Sequence, residues 1–372
     1  MVRVDAVGGR PATMQRGVVY GQTYLDLNTT PPPIAWQMLR MLRADPPGRA
    51  GGGDRKKTFN MALEQAEQLL GAALTVGPAA RPLLAFYGLS QAGRAVAAAA
   101  QTVSNNEYRL EGHGIRTGEM QGVMNTGLAA LTVTDQGKGS FTKLANFLGA
   151  ASLPEATPIG ELWGLLPDLS RFPLPGMGTM RPVSIETSPT TVRAHDVPVS
   201  IRGIPQDLAY TAPGSGGDPD VDASGYAEER QRVIAFLDRY PSLTGWEFRA
   251  PDGNPIGLHL VGNAAEVPVA WPNAGYGEAE DEVLDRHTIE YRGYQRLAFP
   301  VVGGASEPAH PFLLWWAILY ALSMLARYEP KVWGSLININ ESPDAAAIEH
   351  CLEQALHLLP ELIHRTIAAV AG

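Results

Sequence analysis

Cysteine is nearly absent from this sequence, since Cys351 is the only one among 372 residues. A single cysteine forms no intrachain disulfide, and metal sites that need several thiolates are excluded. The first ten residues also lack the apolar stretch of a signal peptide. Because neither disulfides nor a secretion signal point outside the cell, we expect a cytoplasmic protein.

Positive charge is scarce as well. Lys and Arg together number 29 against 38 Asp and Glu, so the formal net charge is -9. Proteins that bind duplex DNA present a basic surface to the phosphates. The charge balance therefore argues against duplex DNA as a partner, although one basic segment runs from Arg40 to Lys57.

Hydrophobic runs are too short for a membrane span. The sixteen residues from Pro311 to Ala326 contain no charge, but roughly 20 apolar residues are needed to cross a bilayer. Ser323 interrupts the run, and Pro330 follows closely after it. We expect a buried core helix here and no membrane association.

The common signatures of catalysis are also missing. The chain contains no Gly-x-Ser-x-Gly, no His-Glu-x-x-His and no Gly-x-Gly-x-x-Gly that opens a helix. The segment Gly-Lys-Gly-Ser at 137–140 lacks the spacing of a phosphate-binding loop and predicts a hairpin turn. His350, His357 and His364 recur every seven residues, whereas metal ligands on one helix stand four apart. They share with Glu361 a helical face that we expect to be solvated, and we expect neither a metal nor a cofactor.

Helical periodicity predicts long helices near both ends of the chain. Apolar residues recur at helical spacing in Thr58–Leu74, and Arg81–Val103 is apolar and rich in alanine. Pro311–Ala326 is the uncharged run described above. Asp344–Ala371 predicts a last helix or a pair of helices.

The middle of the chain has a different composition. Residues 173–222 are rich in proline, glycine, serine and threonine, and Val197–Ile201 alternates like a strand. Trp246–Arg249 and Ile256–Val261 predict the two strands of a hairpin. The order of helices, strands and helices predicts an α+β fold that is predominantly helical, in which both ends of the chain form one helical core. We place the boundaries at 1–170, 171–305 and 306–372, with the middle part as a β-rich insertion.

A polar stripe interrupts one of these apolar helices. Tyr87, Ser90, Gln91 and Arg94 stand at spacings of three, four and seven residues from the first, so they share one helical face. A polar stripe on so apolar a helix is either a satisfied buried network or the wall of a pocket.

A second polar group stands at the end of the uncharged run, where Arg327, Tyr328 and Glu329 follow one another. An arginine there caps the last carbonyl groups of the helix, or it binds a phosphate or carboxylate through its forked guanidinium. Glu329 is an alternative partner for Arg327. The candidates for ligand binding are therefore Tyr87, Gln91, Arg94, Arg327, Tyr328 and Glu329.

One loop histidine is a candidate for catalysis. His113 lies between two glycines, and Arg109 precedes it by four residues. A histidine titrates near neutral pH and can transfer protons. With Arg109 it predicts a site that binds a phosphodiester or cleaves RNA by activating a 2′-hydroxyl. The alternative is a hydrogen-bonded structural histidine.

Four stretches together resemble the YaaC-like family. They are Arg81–Ala95; His113–Ile115 with Gly137–Phe141; Ile159–Leu169; and the block His310–Trp333, which is the most specific. Their order and spacing match over roughly residues 30–365. The family is bacterial, cytoplasmic and largely uncharacterised, so the resemblance implies a fold and hardly a reaction.

The first helical pair also resembles HEPN domains, a helical group that contains ribonucleases and toxin components. That resemblance implies a HEPN-like helical core and a metal-independent ribonuclease that uses Arg109 and His113. HEPN nucleases place more residues between the arginine and the histidine, whereas only three separate them here.

Together these features favour a nucleotide- or RNA-binding effector or accessory component rather than an enzyme. Bacterial antiviral defence is the setting that the fold analogy implies. A first alternative is a non-catalytic scaffold that acts as a homodimer or through a protein partner. A second alternative is the ribonuclease. The polar residues on otherwise apolar helices favour the binding protein.

Overall fold

The computed structural model describes residues 17–19, 22–24, 30–187, 196–209, 219–251, 254–262, 264–272, 280–293 and 295–372. Its helices are α1 (Pro32–Ala44), α2 (Gly53–Thr75), α3 (Arg81–Ala99), α4 (Val123–Thr126), α5 (Ser140–Leu148), α6 (Ile159–Gly164), α7 (Pro219–Leu237), α8 (Glu280–His287), α9 (Pro311–Tyr328), α10 (Pro330–Leu336) and α11 (Ala345–Ala371). Its strands are β1 (Gly17–Val19), β2 (Gln22–Tyr24), β3 (Ile115–Thr117), β4 (Thr132–Asp135), β5 (Thr157–Pro158), β6 (Val183–Thr187), β7 (Asp196–Ile204), β8 (Glu247–Phe248), β9 (His259–Val261), β10 (Ala264–Pro272), β11 (Ile289–Tyr291) and β12 (Gln295–Ala298). The predicted α+β class is confirmed.

Helix α3 lies at the centre of the helical core, where it packs against α2, α9 and α11. Two glycines allow this close packing. A Cβ on Gly88 would lie 2.7 Å from the Leu70 Cγ of α2, and a Cβ on Gly93 would lie 2.6 Å from the Trp316 ring of α9. Helices from the two ends of the chain therefore share one core, as the sequence predicts.

Helix α9 is the core helix that the uncharged run predicts. It is long and apolar enough to cross a membrane by length and composition, but 83% of its apolar window is buried inside the protein. Its buried residues run without a break from Pro311 to Leu325, and Arg327 is the first charged residue at its end. An all-apolar surface of this kind is typical of a helix surrounded by other helices.

The strands form antiparallel sheets. A three-stranded sheet has the order β3-β4-β5, and a seven-stranded sheet has the order β11-β12-β6-β7-β10-β8, with β9 also paired to β10. The larger sheet has its own hydrophobic core, in which Val199, Ile201 and Val267 pack with Val233 and Leu237 of α7. Every buried member of this core lies within the predicted insertion 171–305. The division of the chain into units remains a prediction.

The predicted hairpin between Trp246–Arg249 and Ile256–Val261 is wrong. Strand β8 pairs with β10 at Val269 and Ala270, and β9 pairs with the beginning of β10. The nine-residue β10 offers a longer partner than either short run. Ile256 is only 1% exposed and packs into the second core instead of forming a ladder.

Two carboxylates bind the turn between β11 and β12, and we call Tyr291–Gly293 the junction turn. Asp168, whose side chain is 0% exposed, accepts hydrogen bonds from the Tyr291 hydroxyl and from Arg292 Nη1, the latter at 2.7 Å. Glu361 of α11 accepts the Gly293 N–H at 3.1 Å. Arg292 has a φ of 52°, so these contacts hold it in an uncommon backbone conformation. The larger sheet is thus bound to the helical core through charged groups.

The position of Glu361 corrects one prediction. We expected the face of α11 that carries it to be solvated, but Glu361 is only 6% exposed. His350 of the same face is half-buried, and its Nε2 lies 2.9 Å from the Asp168 carbonyl oxygen. The reason is the position of the larger sheet, whose junction turn packs against this face.

The first expected outcome concerns His310, the N-cap of α9. Its Nδ1 accepts the Phe312 N–H at 3.2 Å, and burial lowers the pKa of the imidazole to about 4. The unfolded chain protonates this side chain below about pH 6.5. Stability is therefore full above pH 6.5 and falls as the pH drops toward 4, by about 2 kcal/mol at pH 5.

This loss is measured by urea unfolding at pH 7.5 and pH 5, with His310→Asn as the comparison. Asparagine still accepts the Phe312 N–H as an N-cap, but it does not titrate. Between pH 7.5 and pH 5, the free energy of unfolding of the variant should fall by about 2 kcal/mol less than that of the wild type. Equal losses in the two proteins would show that His310 does not contribute.

Candidate functional site

Polar and aromatic side chains meet where α9 ends beside α3. We call this the Arg327 site and define it as Tyr87, His113, Tyr320, Arg327 and Tyr328. Tyr87 lies on α3, His113 lies on the loop before β3, and the other three lie on α9. These side chains form the site because α3 and α9 pack against each other beneath it.

The floor of the site is the buried ring of Phe86. Its centroid lies 5.5 Å from Tyr87, 5.5 Å from His113 and 5.3 Å from Tyr320. Phe86 also meets the Trp316 ring edge-on at 5.8 Å. Both floor residues are 0% exposed. The site therefore stands directly on the helical core.

Arg327 is the positive charge of the site. Its Nη1 donates to the Tyr87 hydroxyl at 3.1 Å, and its Cζ lies 5.0 Å from the centroid of the Tyr328 ring. No carboxylate within the described ranges lies within ion-pair distance of this guanidinium. The two tyrosines position the cation but leave its charge uncompensated. Arg327 bonds Tyr87 and not the last carbonyl groups of α9, so its role is not that of a helix cap.

His113 contributes a neutral imidazole. Its ring centroid lies 5.7 Å from Tyr320 and 6.4 Å from Tyr87. Neither ring nitrogen makes a hydrogen bond with the part of the chain that the structure describes. Burial, and then the nearby charge of Arg327, lower the pKa of His113 below its usual value near 6.5. The ring is therefore uncharged at neutral pH and open to a ligand.

Glycines place His113 in the site. A Cβ on Gly114 would lie 2.7 Å from the Lys138 carbonyl oxygen, so only glycine fits at this position, where φ is 73°. The Phe141 N–H then donates to the His113 carbonyl at 3.0 Å. The segment 137–140 is not the predicted hairpin turn, because it joins β4 to the N-terminus of α5, where it supports the His113 loop.

The structure does not bring Arg109 to His113. Arg109 Nη2 donates to Asp54 Oδ2 of α2 at 2.6 Å, and the Tyr108 hydroxyl donates to the same oxygen at 3.0 Å. The hydrogen bond from Arg109 and then that from Tyr108 lower the pKa of Asp54. His113 instead contacts α3 and α9. The charge of Arg109 is thus compensated, and the predicted ribonuclease pair has no shared contact within the described residues.

The packing of α9 against α3 brings only one end of the polar stripe on α3, at Tyr87, to the Arg327 site. Phe86 contacts Tyr320 and Trp316, and Gly93 faces Trp316, so α3 and α9 run antiparallel. Arg94 is exposed and stands seven residues beyond Tyr87, about 10 Å along the axis. Gln91 is half-buried between them. Neither makes a hydrogen bond or ion pair with a described residue, and their role in binding remains a prediction.

Glu329 does not pair with Arg327, which was the alternative that its position left open. Its Oε1 instead accepts from Gln121 Nε2 at 3.3 Å. Glu329 thus connects the end of α9 to the segment before α4. A direct role in ligand binding remains a prediction for this residue.

Tyr320 is the site residue that the sequence analysis missed. It is only 6% exposed, and its hydroxyl makes no hydrogen bond with a described residue. Burial raises the pKa of this phenol, and the neighbouring Tyr328 and Tyr87 add to the effect. The available signal was its spacing of seven residues from Arg327, which puts both on one face of α9.

A second concave region lies between α11 and the larger sheet. This cavity has a volume of about 1610 Å³ and includes His310 and His364 in its lining. Its charges neutralise one another: Arg365 pairs with Glu361 and Glu290, and Arg296 pairs with Asp281 and Asp285. The charges of Arg296 and Arg365 in this wall are thus compensated by carboxylates, unlike that of Arg327.

The described residues contain no group of three or more His, Cys, Asp and Glu side chains that could hold a metal ion. Cys351 is buried, and burial raises the pKa of its thiol, so the thiol is uncharged at neutral pH. The chemistry that the Arg327 site offers is anion binding by Arg327, proton transfer by His113, and stacking on Tyr328.

Comparison with known proteins gives one family and no closer relative. No curated protein and no solved structure matches the chain. The resemblance of the helical part to HEPN domains is therefore not shown. The family model described as YaaC-like Protein matches residues 40–367, which is most of the chain. The protein belongs to the YaaC-like family.

Proposed function

We propose that the protein binds a nucleotide or single-stranded RNA at the Arg327 site and acts as an effector or accessory component. The observation that carries this proposal is an exposed guanidinium that has no carboxylate partner among the described residues and is held between Tyr87 and the ring of Tyr328. The family has no assigned reaction, so the chemistry of the site is the basis for the proposal.

The guanidinium supplies the phosphate contact. Only one hydrogen bond, from Nη1 to Tyr87, engages Arg327 within the described residues. The remaining N–H groups form the planar fork that binds two oxygens of a phosphate. Because no carboxylate of the described part of the chain competes for the charge, we expect an anion to compensate it.

Tyr328 supplies the contact for a base. Tyr328 is the last residue of α9 and is 55% exposed, whereas the helix is buried from Pro311 to Leu325. Bases stack on exposed aromatic rings with about 1–3 kcal/mol per base. Stacking requires a base that is not already stacked in a duplex. This feature favours single strands or free nucleotides over duplex DNA, as does the net charge of -9.

The competing functions lack a comparable observation. A scaffold function does not require an uncompensated arginine between two tyrosines. The ribonuclease function requires Arg109 beside His113, but Arg109 binds Asp54 instead. The homodimer and the setting in antiviral defence remain predictions, because no contact in this chain bears on them.

Arg327→Gln tests the proposal by fluorescence anisotropy with a labelled single-stranded 12-nucleotide RNA of uridines. A hydrogen bond to a charged group contributes about 1.5–3 kcal/mol. We therefore expect the variant to bind roughly 10- to 100-fold more weakly than the wild type. Tyr328→Leu should weaken binding roughly 10-fold through the lost stacking.

The matched control is Arg239→Gln, which removes an exposed arginine two residues after the end of α7 in the β-rich part. It should leave the affinity unchanged. If it weakens binding as much as Arg327→Gln does, the RNA is held by general electrostatics and not by this site. If the wild type binds neither this RNA nor uridine monophosphate, the proposal is refuted.

A further inference from the structure

We propose that the Arg327 site takes a terminal phosphate monoester attached to a nucleoside, and not the internal phosphodiester of a passing strand. This inference rests on the proposed function and specifies its ligand. The source of such a group is either a free mononucleotide or the end of an RNA strand. Three features of the site support this inference: the number of hydrogen-bond donors, the increase in side-chain exposure across the site, and the charge.

The Arg327 site has more hydrogen-bond donor groups than an internal phosphodiester has unesterified oxygens. The Tyr87 oxygen accepts from Arg327, so its own hydrogen is available to another acceptor. Tyr320 and His113 make no hydrogen bond with a described residue, and each can donate one. With the fork of Arg327, four donor groups cluster around the ring of Phe86 and the end of α9. A monoester presents three unesterified oxygens to them, whereas an internal diester presents two.

Exposure increases from one end of the site to the other. Tyr320 is 6% exposed, His113 and Tyr87 are half-buried, and Tyr328 is 55% exposed. Phe86 and Trp316 close the inner end with side chains that are 0% exposed. A strand that passed through the inner end would have to enter the helical core. A terminal group can end there while its nucleoside extends toward Tyr328.

The charge of the site matches a monoester only when His113 takes up a proton. A monoester carries about -1.5 to -2 charges at pH 7, and Arg327 supplies one positive charge. The groups that face His113 are Tyr87 and Phe86 from α3 and Tyr320 and Arg327 from α9, with no carboxylate among them. Other charged residues of this region are Lys138, on the segment that packs against Gly114, and Glu111 and Arg116, which flank His113 in the chain and are exposed.

The expected consequence is proton-linked binding. In the free protein, burial and the charge of Arg327 lower the pKa of His113, so the ring is neutral at pH 7. A bound dianion stabilises the imidazolium and draws a proton onto the ring. Binding of a monoester should therefore tighten severalfold between pH 8 and pH 6.5, whereas binding of a hydroxyl-ended strand should change little.

The experiment is isothermal titration of the full chain with four probes at both pH values. The probes are a hexamer of uridylates with a 5′-phosphate, the same hexamer with a 3′-phosphate, the hexamer with two hydroxyl ends, and uridine monophosphate. We expect one phosphorylated hexamer to bind at least tenfold more tightly than the hydroxyl-ended hexamer. Titration in two buffers of different ionisation enthalpy should show proton uptake at pH 7.

Two variants assign the preference to the inner end of the site. His113→Gln and Tyr320→Phe should each lower the ratio of monoester to hydroxyl-ended affinity at least fivefold, and His113→Gln should also remove the proton uptake. Arg239→Gln is the control and should keep the ratio of the wild type. A purely structural role of His113 would change both affinities together and leave the ratio and the proton uptake unchanged, which would overturn the inference.

The outcomes separate this inference from the proposed function. If phosphorylated and hydroxyl-ended hexamers bind with equal affinity and Arg327→Gln weakens both, the proposed RNA binding is supported. The inference that the site takes a terminal phosphate is then wrong. If no probe binds, both are wrong. Uridine monophosphate that binds as tightly as the better hexamer identifies a mononucleotide as the source, and weaker binding identifies an RNA end.

Discussion

Replacing Asp168 with asparagine is expected to lower the free energy of unfolding by about 3–5 kcal/mol. Asn has the same shape but no charge, so the Arg292 guanidinium, 15% exposed and 2.7 Å from the carboxylate, loses its partner. The Tyr291 hydroxyl loses a charged acceptor in the same step. Removing one member of a buried pair leaves the other charge without compensation, and this penalty dominates the effect.

Urea denaturation of purified variants measures this change. Asp54→Asn is the control, because Asp54 also accepts from an arginine but both side chains are more than half exposed. An exposed pair contributes about 0–1 kcal/mol. The double variant Asp168→Asn with Arg292→Met should recover part of the loss, since it removes both buried charges. Equal losses for Asp168→Asn and Asp54→Asn would contradict the structure of the junction turn.

Phe86→Ala is expected to cost about 3–5 kcal/mol and to abolish ligand binding at the Arg327 site. The ring is 0% exposed and fills the space beneath Tyr87, His113 and Tyr320. Its removal leaves a cavity in the core and takes away the contact that orients the three side chains. Thermal unfolding measures the stability of the variant. Titration with RNA at a temperature below the unfolding transition measures ligand binding by the folded protein.

A matched control and a milder variant sharpen this test. Phe147 of α5 is half-buried, so Phe147→Ala should cost less and leave binding intact. Phe86→Leu keeps most of the buried volume and should cost less than Phe86→Ala. If Phe86→Ala binds RNA as well as the wild type does, the aromatic floor does not position the site.

Much of the helical core could be predicted from local sequence. The spacing of apolar residues in Thr58–Leu74 and the uncharged run at 311–326 predict the positions of α2 and α9, because burial of a helix depends on its own residues. The partners of the short strands could not be predicted in this way. Strands β8 and β9 pair with β10 rather than with each other, and that choice depends on the whole sheet.

The candidate site shows the same limit. Helical spacing correctly places Tyr87 and Arg94 on one face of α3. It does not show that α9 runs antiparallel, which puts Arg327 beside Tyr87 and leaves Arg94 about 10 Å away along the axis. Buried carboxylates are equally hard to foresee. Asp168 and Glu361 look like surface residues in the sequence, since acidic side chains are rarely buried without partners.

The hydrogen bond between Arg327 and Tyr87 joins residues 240 positions apart. During translation, at roughly 5–20 residues per second, α3 is made some tens of seconds before the end of α9. A nascent chain has Tyr87, Phe86 and His113 early but lacks Arg327 and the part of the floor that Trp316 of α9 supplies. The proposed site is therefore complete only when synthesis has passed Tyr328. A chain truncated within the β-rich part would keep Tyr87 and His113 but lack Arg327 and the packing of α9 against α3.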